Sequence, residues 1–172
     1  MAVKQILTEP NKFLRQVSKP VEKVGDEERK LMDDMLDTMY AAPGIGLAAI
    51  QIGIPKRIIV MDISRDENKK EPLYFVNPVI KNKNENKSRY EEGCLSVPDQ
   101  FAEIERPKTC EVEYLDYYGK KQILKAEGLL ATCIQHEIDH LEGILFIDYL
   151  SKLKKSMIIK KLSKFKSKRI IV

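Results

Sequence analysis

The sequence predicts an α+β fold in which antiparallel sheets pack around a central helix carrying an H-E-x-x-H motif, with an amphipathic helix at the C-terminal end. Three observations support this prediction. Segments that alternate between apolar and polar residues, as strands do, lie between segments of helical periodicity. The 172 residues are typical of one domain. No internal repeat or linker divides them, so residues 1–172 are predicted to form a single domain.

The strongest helix signal in the first half of the chain covers residues 25–44. Acidic residues crowd its first turn, where the helix dipole favours them, and Pro43-Gly44 ends it. Three methionines belong to an apolar stripe at helical spacing, which we expect to pack in the core. A shorter helix is predicted within residues 11–21, ended by Pro20.

Strands are predicted in the middle of the chain, over residues 56–63, 73–80 and a hairpin over 110–128. The hairpin is expected to turn near Gly119. Residues 81–88 are strongly polar and are predicted to form a solvated loop or hairpin tip. Residues 92–100 are predicted to be irregular, because Gly93 and Pro98 interrupt any strand pattern there.

Two further helices are predicted, over residues 129–143 and 148–169. No acidic residue follows Asp148, so residues 149–172 carry a charge of +9 and, in a chain of net charge +4, leave −5 on residues 1–148. Two interpretations of this basic tail are open. It is either a docked amphipathic helix with a solvated face or a surface for electrostatic contact with RNA. Without tryptophan or a broad aromatic face, membrane binding is the less favoured alternative.

Composition excludes several classes of protein. A hydrophobic content of 43% with 33% charged residues is typical of a globular chain rather than a disordered one. No apolar run approaches the ~20 residues that span a bilayer. The N-terminal residues lack the features of a signal peptide, so we expect a cytoplasmic protein of bacterial type, with a mature organellar form as the open alternative. Three sparse cysteines are expected to be reduced thiols.

The two histidines of the chain, His136 and His140, are four residues apart in a predicted helix. At this spacing both imidazoles project from one face and can bind one metal ion. Glu137 lies beside the first histidine, where it can act as a base on an attacking water. The H-E-x-x-H pattern on a helix therefore indicates a metal-dependent hydrolase.

A third ligand has to come from elsewhere in the chain. The longer three-histidine pattern would place it at Phe146, and no glutamate follows Glu142. A cysteine thiolate binds Zn²⁺ or Fe²⁺ well. Cys110 is explained as a buried thiol. Cys94, in a glycine-containing segment, is favoured over Cys133, because three ligands from one straight helix rarely converge, but both remain open on this reasoning.

Three segments together resemble the signature motifs of the peptide deformylase family: "GIGLAAIQ" (44–51), "EGCLS" (92–96) and "QHEIDH" (135–140). The likeness extends over nearly the whole chain. It implies an enzyme that removes the formyl group from the N-terminal formyl-methionine of newly synthesised polypeptides and releases formate. It also implies one divalent ion, with Fe²⁺ as the native metal and Zn²⁺, Ni²⁺ or Co²⁺ as alternatives, bound by Cys94, His136 and His140.

The resemblance also implies roles for residues around the metal. Glu137 would transfer the proton from the attacking water to the leaving amine. The side-chain amide of Gln51 and the backbone N–H of Leu95 would stabilise the oxyanion. Gly44 and Gly46 flank the segment that pairs with the substrate backbone. The pocket for the methionine side chain is expected to be lined by Ile45, Leu129 and Cys133.

Further expectations concern the surroundings of the site and its partners. Asp139 is expected to pair with Arg106 and to support the metal ligands. Phe101, Tyr90 and Thr132 differ from the residues that many family members carry near the pocket, which affects peptide preference. Besides N-formyl-methionyl nascent peptides, the resemblance implies contact with the ribosome through the basic C-terminal helix. The protein is expected to be a monomer.

Two other functions compete with this interpretation. The first is a small metallopeptidase that cleaves internal bonds, and it is disfavoured because the usual third histidine or glutamate ligand is missing. The second is a catalytically inactive, metal-stabilised module that binds the ribosome. Glu137 and Gln51 argue against that module, because a purely structural metal site needs neither residue.

Overall fold

The computed structural model describes residues 2–64, 66 and 68–171, except for the side chains of residues 165–171. Within this part of the chain, three α-helices are present: α1 (Asp26–Ala41), α2 (Gly128–Leu141) and α3 (Lys152–Ile171). The strands are β1 (Gly46–Ala48), β2 (Ile58–Met61), β3 (Leu73–Lys83), β4 (Lys87–Cys94), β5 (Val97–Pro107), β6 (Thr109–Leu115) and β7 (Lys121–Glu127). Short 3₁₀ helices occupy Lys12–Arg15, Ala49–Ile52 and Phe146–Tyr149.

Two antiparallel sheets account for the strands. The larger has five strands in the order β1-β2-β3-β6-β7, so β1 and β7 are its edges. The smaller is the β4–β5 hairpin. The α+β prediction is confirmed, and so is the hairpin predicted over 110–128, whose turn contains Gly119 at a φ of 82°. A positive φ of this kind favours glycine, which explains why the chain reverses there.

The five-stranded sheet is covered on both faces. In β2, Ile58 and Val60 point toward α1, whereas Ile59 and Met61 point toward α2. This division follows from the alternation of side chains along a strand. The sheet therefore supports α2, the helix that carries the two histidines. The methionine stripe of α1 is confirmed as core, since all three of its members are fully buried: Met32, Met35 and Met39.

The C-terminal helix α3 docks on the small hairpin. Leu162 is buried in a cluster with Val97 and Ile104 of β5, as expected of a docked amphipathic helix. Leu153 and Met157, nearer the start of α3, remain exposed. The helix begins later than predicted, because the chain first forms the Phe146–Tyr149 turn. The distal basic side chains of the predicted tail lie outside the described residues. No described helix has the length and apolarity needed to cross a membrane.

The prediction that residues 92–100 are irregular was wrong, because β4 runs to Cys94 and β5 begins at Val97. The two strands pair around a two-residue turn, and Cys94 lies opposite Val97. Gly93 is opposite Phe101, so three residues on the β5 side bulge out of the ladder. Pro98 lies in this bulge, where its missing N–H costs no ladder hydrogen bond. Residues 81–88 were predicted to be a solvated loop or hairpin tip; β3 extends to Lys83 and β4 begins at Lys87, so only the middle of this segment lies outside the strands.

Candidate metal centre

Helix α2 and the β4–β5 hairpin bring three metal-binding side chains together. His136 and His140 are one turn apart on α2, and their ring centroids are 5.0 Å apart. Cys94 ends β4, and its Sγ lies 3.3 Å from Nε2 of His140. The donor atoms of all three residues lie within 4.8 Å of one another. This geometry suits a single ion bound by one sulfur and two nitrogens.

The structure favours Cys94 over Cys133 as the sulfur donor. Cys133 lies on α2 and is buried, and burial raises the pKa of its thiol well above the usual value. A thiol that resists deprotonation is a poor metal ligand. Its sulfur instead faces β1, where a Cβ added to Gly46 would lie only 3.0 Å away. Cys110 is buried in the core beneath the large sheet, as predicted.

The imidazoles of His136 and His140 have different surroundings, which shift their pKa values in opposite directions. Nδ1 of His136 bonds to Oε1 of Glu92 at 2.9 Å, which leaves Nε2 directed toward Glu137 and the metal position. Burial opposes protonation of His136, whereas its contacts with Cys94 and Glu92 raise its pKa. Burial lowers the pKa of His140 well below its usual value and keeps that ring neutral.

A buried charge network lies behind His136. Glu92 accepts two hydrogen bonds from Arg106, at 2.7 and 2.9 Å, and these together with His136 lower its pKa despite burial. Arg106 also donates to Asp139 at 2.8 Å, which confirms the predicted pair. Sequence analysis missed the role of Glu92. A signal was present, because Glu92 is two residues before Cys94 in a strand and therefore points to the same face.

Glu137 is the acid–base candidate of the site. Its carboxylate is 4.0 Å from Nε2 of His136, and burial raises its pKa to about 7. A bound dication would act in the opposite direction on this pKa. Its Oε2 atom is buried without a hydrogen-bond partner among the described residues, which points to a missing polar group at this position. The donor set and this orphaned oxygen both fit a metal ion with an associated water.

The side-chain amide of Gln51 is held beside Cys94 by two hydrogen bonds. Its Oε1 accepts a hydrogen bond from the backbone N–H of Ala48 at 2.9 Å. Its Nε2 donates to Oγ of Ser96 at 2.9 Å and lies 3.6 Å from Sγ of Cys94. Leu95 follows Cys94 in the hairpin turn and packs against Gly44. The side chain of Gln51 therefore lies next to the Cys94 sulfur.

A cavity of about 650 Å³ opens over these groups. Every residue predicted for the site lines it except His140, which is fully buried behind the other ligands. Tyr90, Phe101 and Thr132, the residues expected to affect peptide preference, line it too. The size suits several residues of a peptide, and most of the lining is apolar, as is typical of ligand sites.

The two glycines predicted for substrate binding pack closely against side chains of the site. A Cβ added to Gly44 would lie 2.6 Å from Cδ1 of Leu95. A Cβ added to Gly46 would lie 2.7 Å from Oε1 of Glu137. Both distances are far below ordinary van der Waals contact, so any side chain would push the active-site residues aside. The absence of a side chain also leaves the backbone of β1 open toward the cavity.

Known proteins share both this sequence and this fold. Residues 3–156 match the family model described as polypeptide deformylase. The chain belongs to the polypeptide deformylase family. It is 87% identical to a peptide deformylase of Pelagibacter ubique (strain HTCC1062), in an alignment that covers 100% of both chains. Deformylases are metal-dependent, and the Cys94, His136 and His140 cluster is a possible metal site of the kind this requires.

Solved deformylase structures agree with the architecture. The peptide deformylase of Ehrlichia chaffeensis superposes with a TM-score of 0.91 at 45% identity, covering 96% of this chain and 97% of that one. A deformylase of Acinetobacter baumannii with Met-Ala-Ser bound gives a TM-score of 0.82 at 32% identity, covering 87% of this chain and 99% of that one. The predicted antiparallel sheets around the H-E-x-x-H helix are thus the fold of deformylases.

Proposed function

We propose that the protein is a metal-dependent hydrolase that removes the N-formyl group from the N-terminal formyl-methionine of newly synthesised polypeptides and releases formate. The observation that carries the proposal is the cluster of Cys94, His136 and His140 beside Glu137, at the base of an open cavity. The likeness to deformylases over the full length of the chain supports it.

The site residues divide the chemistry among them. A divalent ion bound by Cys94 and the two histidines supplies Lewis acidity, which polarises a carbonyl and acidifies a water molecule. Glu137 accepts the proton of the attacking water and delivers it to the leaving amine. The amide of Gln51 and the backbone N–H of Leu95 donate hydrogen bonds to the oxyanion that develops on the formyl oxygen. Glu92 and Arg106 keep His136 in its binding orientation.

The edge of the large sheet is suited to bind the peptide. β1 is an edge strand, with β2 on one side only. An extended peptide can pair with its free edge at Gly46, next to Gly44 and Ile45, as in β-augmentation. The methionine side chain then enters the cavity between Leu129 and Cys133 of α2, both of which line it.

Formate release from formyl-Met-Ala-Ser by metal-loaded protein tests the proposed function. We expect stoichiometric formate and free Met-Ala-Ser, with the peptide bonds intact. Acetyl-Met-Ala-Ser is the matched control for the size of the acyl group, because it has the same leaving amine. Cleavage of an internal bond would favour the metallopeptidase alternative. No reaction at all would favour the inactive ribosome-binding module and would overturn the proposal.

Gly46→Ala is expected to lower the rate of formate release about 10- to 100-fold. The added methyl group would lie too close to the Glu137 carboxylate and would displace it from the position that catalysis requires. Gly25→Ala is the matched control. A Cβ at Gly25 would lie 3.5 Å from Oε1 of Glu28, an ordinary contact at the start of α1. Steady-state kinetics with thermal unfolding of both variants separates the local effect from instability. Equal activity of the two variants would contradict the placement of Glu137.

Removing the metal and reloading the protein with each candidate ion is expected to distinguish these ions by the rate of formate release that each restores. We propose Fe²⁺ as the native metal, with Zn²⁺, Ni²⁺ and Co²⁺ as ions that the Cys-His₂ donor set also accepts. Chelator-treated protein should release no formate. Anaerobic reloading with Fe²⁺ should restore more activity than Zn²⁺, and exposure of the Fe²⁺ form to air should abolish it. Higher activity with Zn²⁺ than with Fe²⁺ would contradict this assignment.

The protein is further proposed to work as a cytoplasmic monomer that contacts the ribosome through α3. The exposed lysines of this helix, including Lys154 and Lys161, support the proposal. Replacing both with glutamine should weaken ribosome binding and reduce the slope of log affinity against log salt by about 1.5. Replacement of Lys23 and Lys121, which are exposed elsewhere, is the control for charge alone. An equal loss in both double variants, measured by co-sedimentation, would contradict a specific role of α3.

A further inference from the structure

The hydrogen-bond chain behind His136 extends to the start of the C-terminal helix. The chain passes from Nδ1 of His136 to Glu92 and from Glu92 to Arg106, and all three residues are more than 90% buried. Arg106 uses its remaining nitrogen, Nη1, to bond Oδ2 of Asp139. The same oxygen accepts a hydrogen bond from the hydroxyl of Tyr149 at 2.7 Å.

Tyr149 contacts the buried guanidinium in a second way. Its ring lies under Arg106, with the guanidinium carbon 5.0 Å from the ring centroid, a cation–π geometry. Arg106 is therefore enclosed by Glu92 on one side and by Asp139 and Tyr149 on the other. A buried cation is stable only while all of its partners remain in place. Tyr149 is the outermost of these partners and half of its surface is exposed.

The same short helical turn also contacts His136 directly. Phe146, at the start of the Phe146–Tyr149 turn, is buried and stacks on the His136 ring at a centroid distance of 6.2 Å and an angle of 25°. One end of the turn thus touches the ring face, and the other end closes the chain that begins at Nδ1. Both contacts restrict the orientation of one proposed metal ligand.

We infer that Tyr149 is a positioning residue, which holds His136 in its metal-binding orientation through Asp139, Arg106 and Glu92. The inference rests on the metal site proposed above. Its consequence is that retention of the metal depends on the segment that leads into α3. Removing the Tyr149 hydroxyl frees Asp139 to turn toward solvent, and Arg106 then holds Glu92 less firmly. The His136 ring is then held less firmly in its metal-binding orientation, and the metal ion dissociates faster.

The test is the rate at which Zn²⁺ leaves the loaded protein for an excess of a chromophoric chelator. Tyr149→Phe removes only the hydroxyl and is expected to raise this rate about tenfold, at the low end of the effect of outer partners of metal ligands. Asp139→Asn should act in the same direction. Tyr118→Phe, at an exposed tyrosine in the β6–β7 turn, is the matched control and should leave the rate unchanged.

Two outcomes would overturn the inference. The first is equal release rates for Tyr149→Phe and the unaltered protein. The second is a lower thermal midpoint of the metal-free Tyr149→Phe chain without faster metal release, which would make Tyr149 a structural residue only. Metal release needs no formylated peptide, so this test is independent of the formate assay. Faster release in a protein that forms no formate would refute the proposed function and leave the inference intact.

Discussion

Glu137→Gln is expected to lower the turnover of formyl-Met-Ala-Ser by about 10²- to 10⁴-fold, the usual contribution of a general acid–base group. The amide keeps the shape of the side chain but cannot accept the proton of the attacking water. The metal ligands are unchanged, so metal content should remain at one ion per chain. Single-turnover measurement of formate, with metal analysis of the same sample, checks both expectations.

The matched control for this substitution is Glu127→Gln. Glu127 precedes α2, is exposed, and makes no capping hydrogen bond with its side chain. Its replacement should leave both turnover and metal content within the range of the unaltered protein. If Glu137→Gln retained more than about a tenth of the original turnover, another group would have to transfer the proton.

Cys94→Ala is expected to release the metal and thereby abolish formate production. Removing the thiolate leaves two imidazoles, too few protein ligands for a catalytic site of this class. The position ends β4 next to a tight turn and is only half-buried, so the fold should tolerate alanine. Metal content after gel filtration and the rate of formate release are the measurements.

Cys110→Ala is the control for the loss of a thiol. Cys110 is buried in the core on β6, so we expect some loss of stability but full metal content and unaltered turnover. Full metal content in Cys94→Ala would contradict the assignment of the sulfur ligand. Loss of metal in both variants would point to a general effect of removing cysteines rather than to one ligand.

The site residues that could be predicted from sequence are those that lie close together along the chain. His136, Glu137 and His140 lie within five consecutive residues, and helix geometry alone places both rings on one face. The third donor is not local, because Cys94 is more than forty residues away and meets the helix only through tertiary packing. Reasoning from residues left Cys133 open, and family resemblance was needed to choose Cys94. The fold, with the burial of Cys133 against β1, agrees with that choice.

The parts that sequence analysis missed depend on contacts between distant segments. Residues 92–100, around the turn of the β4–β5 hairpin, were mistaken for an irregular segment, since glycine and proline weaken a strand pattern regardless of whether a bulge accommodates them. The role of Glu92 was missed because it depends on hydrogen bonds with His136 and Arg106, which only the tertiary fold brings close to Glu92. Tyr149 carries no local signal at all, since a tyrosine at the start of a predicted amphipathic helix is equally compatible with a solvated surface.

The account depends most directly on one sulfur and two nitrogen atoms binding a single ion. X-ray absorption spectroscopy of the Zn²⁺-loaded protein measures this coordination. We predict one Zn–S distance of about 2.3 Å and two Zn–N distances of about 2.0–2.1 Å, with the sulfur contribution lost in Cys94→Ala. A first shell without sulfur, or a sulfur contribution that persists in Cys94→Ala, would contradict the account.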